Sequence, residues 1–116
     1  MFSLVLQPDK LRTYGDIPDV PNKSDETAET YRFLEEGDFD LLDQYFIDEV
    51  NKLTGTLLDY GDVDYLNEQR CKQLLPWLNQ QLDRQDLPPR LISIYQLLKD
   101  LAERAIDLGT GVVIEL

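Results

Sequence analysis

The side chains best placed to do chemistry in this sequence are carboxylates interleaved with aromatic rings. Glu35, Glu36, Asp38, Asp40, Asp43, Asp48, Glu49, Asp59, Asp62 and Asp64 all fall between residues 35 and 64, where Lys52 is the one base. These ten acids less one base supply nine of the twelve excess negative charges of the chain. Phe39, Tyr45, Phe46, Tyr60 and Tyr65 are spread among them. Carboxylates in such numbers offer paired acid–base catalysis, cation coordination, or recognition of lysine and arginine through charge-assisted hydrogen bonds.

Composition weighs against the first two. The chain has no histidine, which removes a histidine base, Ser-His and Cys-His nucleophiles and histidine metal ligands. Ser3, Ser24 and Ser93 have no activating neighbour in sequence, and Cys71 is the single cysteine, so zinc and dithiol redox chemistry have no second thiol. Its neighbours Leu74, Leu75 and Leu78 mark Cys71 as a buried apolar filler. A carboxylate-only hydrolase needs a substrate cleft that a small helical domain rarely supplies. Asp59-Tyr60-Gly61-Asp62-Val63-Asp64 has its glycine third, where a calcium loop needs it sixth, and Cys71 lies near where that loop closes on glutamate. Gly109-Thr110-Gly111 lacks the lysine and further glycine of a phosphate loop. The expectation is a chain without catalytic residues, metal or cofactor.

Recognition of a basic protein remains. Asp38, Asp40 and Asp43 sit where a helix should start and are suited to its free amides and dipole, and Asp62 and Asp64 are suited to capping the next helix. About half of the cluster has no such local duty. Most of the aromatics should be core at helical spacing, but Tyr60 and Tyr65 flank the Gly61 turn, where a side chain is less easily buried. The candidate partner-binding residues are therefore Glu35, Glu36, Asp40, Asp43, Asp59, Tyr60, Asp62, Asp64 and Tyr65. The net charge of −12 opposes direct contact with nucleic-acid phosphates or anionic lipid and favours a basic protein partner.

These residues must be carried by one domain, because 116 residues with 42% hydrophobic content form one core of ordinary size. No apolar run approaches the roughly 20 residues of a membrane span. The opening Met1–Leu6 is apolar but has no basic flank and soon meets Pro8-Asp9, unlike a signal peptide, so the expected compartment is the cytoplasm.

The pattern predicts an α+β fold, with about four helices packed on a small sheet that includes the N-terminal and C-terminal strands. Residues 2–6 read as a strand stopped by Gln7-Pro8-Asp9, and residues 112–116 as another, the direction of their pairing left open. Residues 16–25, with Pro18 and Pro21, read as a linking surface loop. Ser24 or Asp25 caps an expected first helix through Ala28, Tyr31 and Leu34, ended by Gly37. Asp38 opens a second, in which Leu42, Tyr45, Phe46, Val50 and Leu53 recur until Thr54-Gly55. Residues 56–60 read equally as a short strand or a connection. Tyr65 to about Leu82 forms the third helix, with a kink or break at Pro76 and with Trp77 largely buried. After Leu87-Pro88-Pro89 a fourth carries Leu91, Ile94, Tyr95, Leu98, Leu101, Ala102 and Ala105 on one stripe.

A compact acidic whole, Phe33-Leu34-Glu35-Glu36-Gly37-Asp38-Phe39-Asp40-Leu41-Leu42 joining two helices, and Leu74-Leu75-Pro76-Trp77-Leu78 further on make the chain resemble the small bacterial immunity proteins that accompany polymorphic or contact-dependent toxins. That resemblance implies a non-enzymatic inhibitor that binds a cognate toxin in the cytoplasm, by plugging its active site or covering an adjoining surface. A toxin nuclease presents lysines and arginines that an acidic patch answers. Two other readings fit the same charge: an accessory or scaffold protein for another basic partner, and a DNA mimic that occupies a nucleic-acid-binding groove.

Overall fold

The computed structural model describes residues 1–32 and 35–116. Strand β1 (Phe2–Val5) lies inside a four-stranded antiparallel sheet of order β4-β1-β6-β5, with β4 at Ala28–Tyr31, β5 at Val63–Leu66 and β6 at Val112–Glu115. The two terminal strands pair directly, Phe2 opposite Ile114 and Leu4 opposite Val112. Alternation then sends Phe2, Leu4, Leu66, Val112 and Ile114 to one face, where all are buried in a single core with the helices. Helix α4 (Pro89–Leu108) lies across this face, packed on α3 (Glu68–Leu82), and the seven residues of its predicted stripe are all buried.

The opposite face is covered too. Ser3, Val5 and Val113 are buried there, and Thr30 Oγ1 bonds both Ser3 Oγ and the Pro21 carbonyl. Residues 16–25 are thus not merely a link, because β2 (Thr13–Tyr14) and β3 (Ile17–Pro18) form a small hairpin whose second strand lies against β5.

The expected first helix is instead strand β4. Ala28 and Tyr31 suit a helix by spacing, but the backbone of Ala28–Tyr31 is paired along β1, and a long-range ladder outweighs a weak local preference. Ser24 and Asp25 guard the outer edge of β4 in place of capping a helix. Ser24 Oγ accepts from the Thr30 amide at 2.8 Å, Asp25 Oδ1 accepts from the Thr27 amide at 2.7 Å, and the Asp25 amide donates to the Ala28 carbonyl at 3.0 Å. Leu34 lies outside the described residues. Gly37 does not end a helix; at φ 87° it turns the chain into α1 (Asp38–Tyr45).

The second expected helix is divided at Phe46 (φ −116°) into α1 and α2 (Ile47–Thr54). Hydrogen bonds from the Phe46 amide to Leu42 and from the Val50 amide to Phe46 cross the junction, so this is a bend in a continuing ladder. Residues 56–60 are a connection. Asn51 acts as their neighbour in place of a strand, its Oδ1 accepting from the Leu58 amide and Thr56 Oγ1 while its Nδ2 donates to the Leu58 carbonyl. Leu57, between two buried residues, is left outside.

The third helix starts at Glu68, three residues later than its pattern suggests, because Tyr65 and Leu66 belong to β5. Asn67 caps it by accepting from the Arg70 amide at 2.9 Å, so neither Asp62 nor Asp64 does so. It runs through Pro76 unbroken. Pro76 and Lys72 are both exposed, so the carbonyl that lost its donor lies on the watery side. Trp77 is half-buried, not largely buried. Its ring meets Phe46 and Tyr95 edge-on at 5.9 and 5.5 Å, and its indole N–H donates to Glu49 at 2.9 Å. Cys71 is buried, its thiol pushed up to about 12 by desolvation. Among the described residues no helix is long and apolar enough to cross a membrane.

Candidate functional site

Three pieces of chain build the acidic face: the approach to α1, its first turns, and the turn before β5. Gly37 aims the approach so that Asp38 faces inward, where only 3% of the residue is exposed. Arg90, in the first turn of α4, donates Nε and Nη2 to the two Asp38 carboxylate oxygens, each at 2.8 Å. These bonds hold the Asp38 carboxyl below its ordinary range, against the opposing effect of burial. Arg90 also lies 3.4 Å from the exposed carboxylate of Glu35. Asp38, expected to serve a helix cap, is therefore a tertiary clamp that fixes where α1 begins.

From that start Phe39 emerges beside the second element. Its ring meets Tyr60 edge-on, with centroids 4.9 Å apart, and Tyr60 is nevertheless 72% exposed. The turn carrying Tyr60 is closed by the Asp62 amide on the Asp59 carbonyl at 3.1 Å, with Gly61 at φ 80° supplying the left-handed residue. The Asp62 carbonyl accepts from the Leu116 amide, which ties the turn to the end of β6. Asp59 Oδ1 accepts from the Tyr60 amide. Asp40 adjoins Phe39 in α1 and Asp43 lies one turn further on the same side, both exposed.

The Phe39–Tyr60 contact thus joins the start of α1, which carries Asp40 and Asp43, to the turn that carries Asp59 and Asp62, across about twenty residues of sequence. Glu36 is exposed in the approach, and Glu35 stands beside it in partial contact with Arg90. Asp64 and Tyr65 stand apart. Asp64 accepts from the Leu57 amide at 2.9 Å and the Tyr65 amide at 2.7 Å, and it lies 3.7 Å from Arg70, so its carboxylate serves the fold. Tyr65 is partly buried over Gly111, and desolvation raises its hydroxyl above the ordinary value. The turn was expected to keep both tyrosines outside; strand pairing turns Tyr65 back onto the sheet while Tyr60 remains at the tip.

Sequence reasoning did not single out Phe39 as the ring that holds Tyr60. Its signal was present, since Phe39 directly follows the residue that opens α1 and precedes an exposed acid. Among the described residues no group of acids and cysteine is arranged to hold a metal ion. What the face offers is a set of carboxylate acceptors around a propped aromatic ring, the pairing that binds lysine and arginine. Comparison of the chain with protein-family models, curated proteins and solved structures gave no match.

Proposed function

We propose that this chain is a non-enzymatic binding domain that holds a basic protein against the face made by Glu36, Asp40, Asp43, Asp59 and Asp62 around Tyr60. The partner is a cognate toxin, with a nuclease the best-fitting chemistry, and the chain neutralises it in the cytoplasm as an immunity protein. One observation carries the reading: Tyr60 is 72% exposed yet held edge-on by Phe39, amid exposed acids beside which Arg90 is already committed to Asp38. A preset aromatic ring loses little freedom on binding, and surrounding carboxylates steer a cationic surface to it. Carboxylates gathered on one face repel one another, and a basic partner relieves that cost.

The test is association kinetics between the chain and the product of the neighbouring reading frame, at two salt concentrations. Replacing Asp40, Asp59 and Asp62 by asparagine should slow association and flatten its salt dependence while leaving thermal unfolding unchanged or slightly raised. Tyr60→Ala should act on dissociation instead. Unaltered kinetics in both variants would remove the interface from this face.

A further inference from the structure

The hairpin formed by β2 and β3 leaves a groove of about 570 Å³ between its tip and the segment joining α2 to β5, lined by Tyr14, Asp16, Ile17, Leu57 and Arg70. Two of these side chains are apolar bodies left in water, Tyr14 at 86% and Leu57 at 83% exposure. Isolated exposed residues need no explanation, but two on one groove form a surface that gains by being covered. Arg70 does not make the groove cationic. Its Nη1 donates to the Tyr65 carbonyl at 2.8 Å and lies 3.7 Å from Asp64, so the unbalanced charge there is the exposed Asp16. Tyr14 and Ile17 also line the adjoining groove of about 690 Å³, where Asp19, Asp62 and Glu115 outnumber Arg12. Asp62 lines this adjoining groove, which therefore lies between the apolar groove and the acidic face.

We infer that this groove docks an extended segment of the basic partner, with an aromatic or aliphatic side chain lying between Tyr14 and Leu57 and an adjacent lysine or arginine meeting Asp16. The inference rests on the acidic-face reading and adds where the partner's apolar anchor goes. The charge selects a cationic segment, and the two exposed apolar residues select a hydrophobic residue within it. Neither feature alone does both.

The test is a titration of the isotope-labelled full chain, followed by amide shifts, with three synthetic peptides: Lys-Phe-Lys-Phe-Lys, Lys-Ser-Lys-Ser-Lys and Glu-Phe-Glu-Phe-Glu. The first should move the amides of residues 14–17 and 57, binding about tenfold more tightly than the second, as expected for burial of one large apolar side chain. The third should move none of them. Leu57→Asn, at an exposed position, should reduce the first peptide to the affinity of the second. Equal response to both basic peptides, response to the glutamate peptide, or shifts at these positions that depend on chain concentration without peptide would each overturn the inference, the last in favour of a second copy of the chain. Shifts at Asp40, Asp59 and Asp62 with none in the groove would overturn the groove alone. Absence of any response to either basic peptide would overturn the acidic-face reading with it.

Discussion

Arg90→Ala removes the ion pair by which α4 holds the entry to the acidic face, and its cost follows from the burial of its partner. Asp38 is 3% exposed and accepts two hydrogen bonds at 2.8 Å, so the variant leaves a buried carboxylate without its guanidinium and held only by the Glu35 amide. Breaking a buried ion pair by deleting one member costs about 3–5 kcal/mol. The Arg90 side chain is 34% exposed, so water enters where the guanidinium stood, and the loss falls to about 2–3 kcal/mol. For a domain of this size that lowers the melting temperature by roughly 8–15 °C. The assay is urea unfolding followed by fluorescence of Trp77, the single tryptophan, packed against Phe46 and Tyr95. The pH dependence gives a second, independent mark. In the parent the Asp38 carboxyl is depressed by Arg90, so its contribution is fully present above the unfolded value of about 3.9 and is lost as pH falls through the lower folded value. In the variant burial becomes the largest influence, opposed only by the Glu35 amide and the Met1 ammonium, so the carboxyl lies higher than in the parent and the variant loses less stability than the parent as pH falls. The gap between the two proteins should therefore narrow from neutral pH toward about pH 4. A loss under about 0.5 kcal/mol at neutral pH, or a gap that widens on acidification, would refute the clamp.

Three further substitutions probe the frame behind the site. Trp77→Ala should cost about 2–3 kcal/mol in urea unfolding followed by circular dichroism, below the range for a fully buried ring, because the indole is only half-covered. Pro76→Ala should raise stability by up to about 3 kcal/mol in the same assay, since the exposed ring lies outside the core and alanine restores a helix donor; destabilisation would mean that the proline sets the path of α3. Gly111→Ala should lose at least about 3 kcal/mol or fail to accumulate folded. Its added carbon would lie 2.2 Å from the Leu66 carbonyl and 2.7 Å from the Tyr65 ring, and a near-native melting temperature would disprove that packing.

The parts of the fold legible in the sequence were those in which local pattern and tertiary demand coincide. The stripe of α4 needs no partner to be seen, and Val112–Ile114 is too apolar to be anything but a buried strand. Strand β4 was not legible, because Ala28 and Tyr31, three apart, fit one face of a helix as well as the two covered faces of a strand, and only pairing with β1 decides between the two. The clustering of charge was legible, but its division was not. Asp38 and Asp64 are chemically like Asp40 and Asp62, and they differ because Arg90, Arg70 and the Leu57 amide reach them from elsewhere in the fold. Tyr60, next to Gly61, and Tyr65, four residues beyond it, were read alike as side chains of the turn. Strand pairing turned one inward, and Phe39 propped the other at the surface.

The central claim is that the face around Tyr60 meets a basic protein, and it is tested most directly by placing a photoreactive side chain at that position in producing cells. Leu108, 58% exposed at the far end of α4, supplies the control position. Irradiation should join position 60 to one predominant protein of net positive charge, identified by mass spectrometry, and the adduct should diminish when Asp40, Asp59 and Asp62 are replaced by asparagine. Position 108 should give no such adduct. A predominant adduct from 108 and none from 60, or an adduct at 60 that is acidic and indifferent to the asparagine substitutions, would contradict the account.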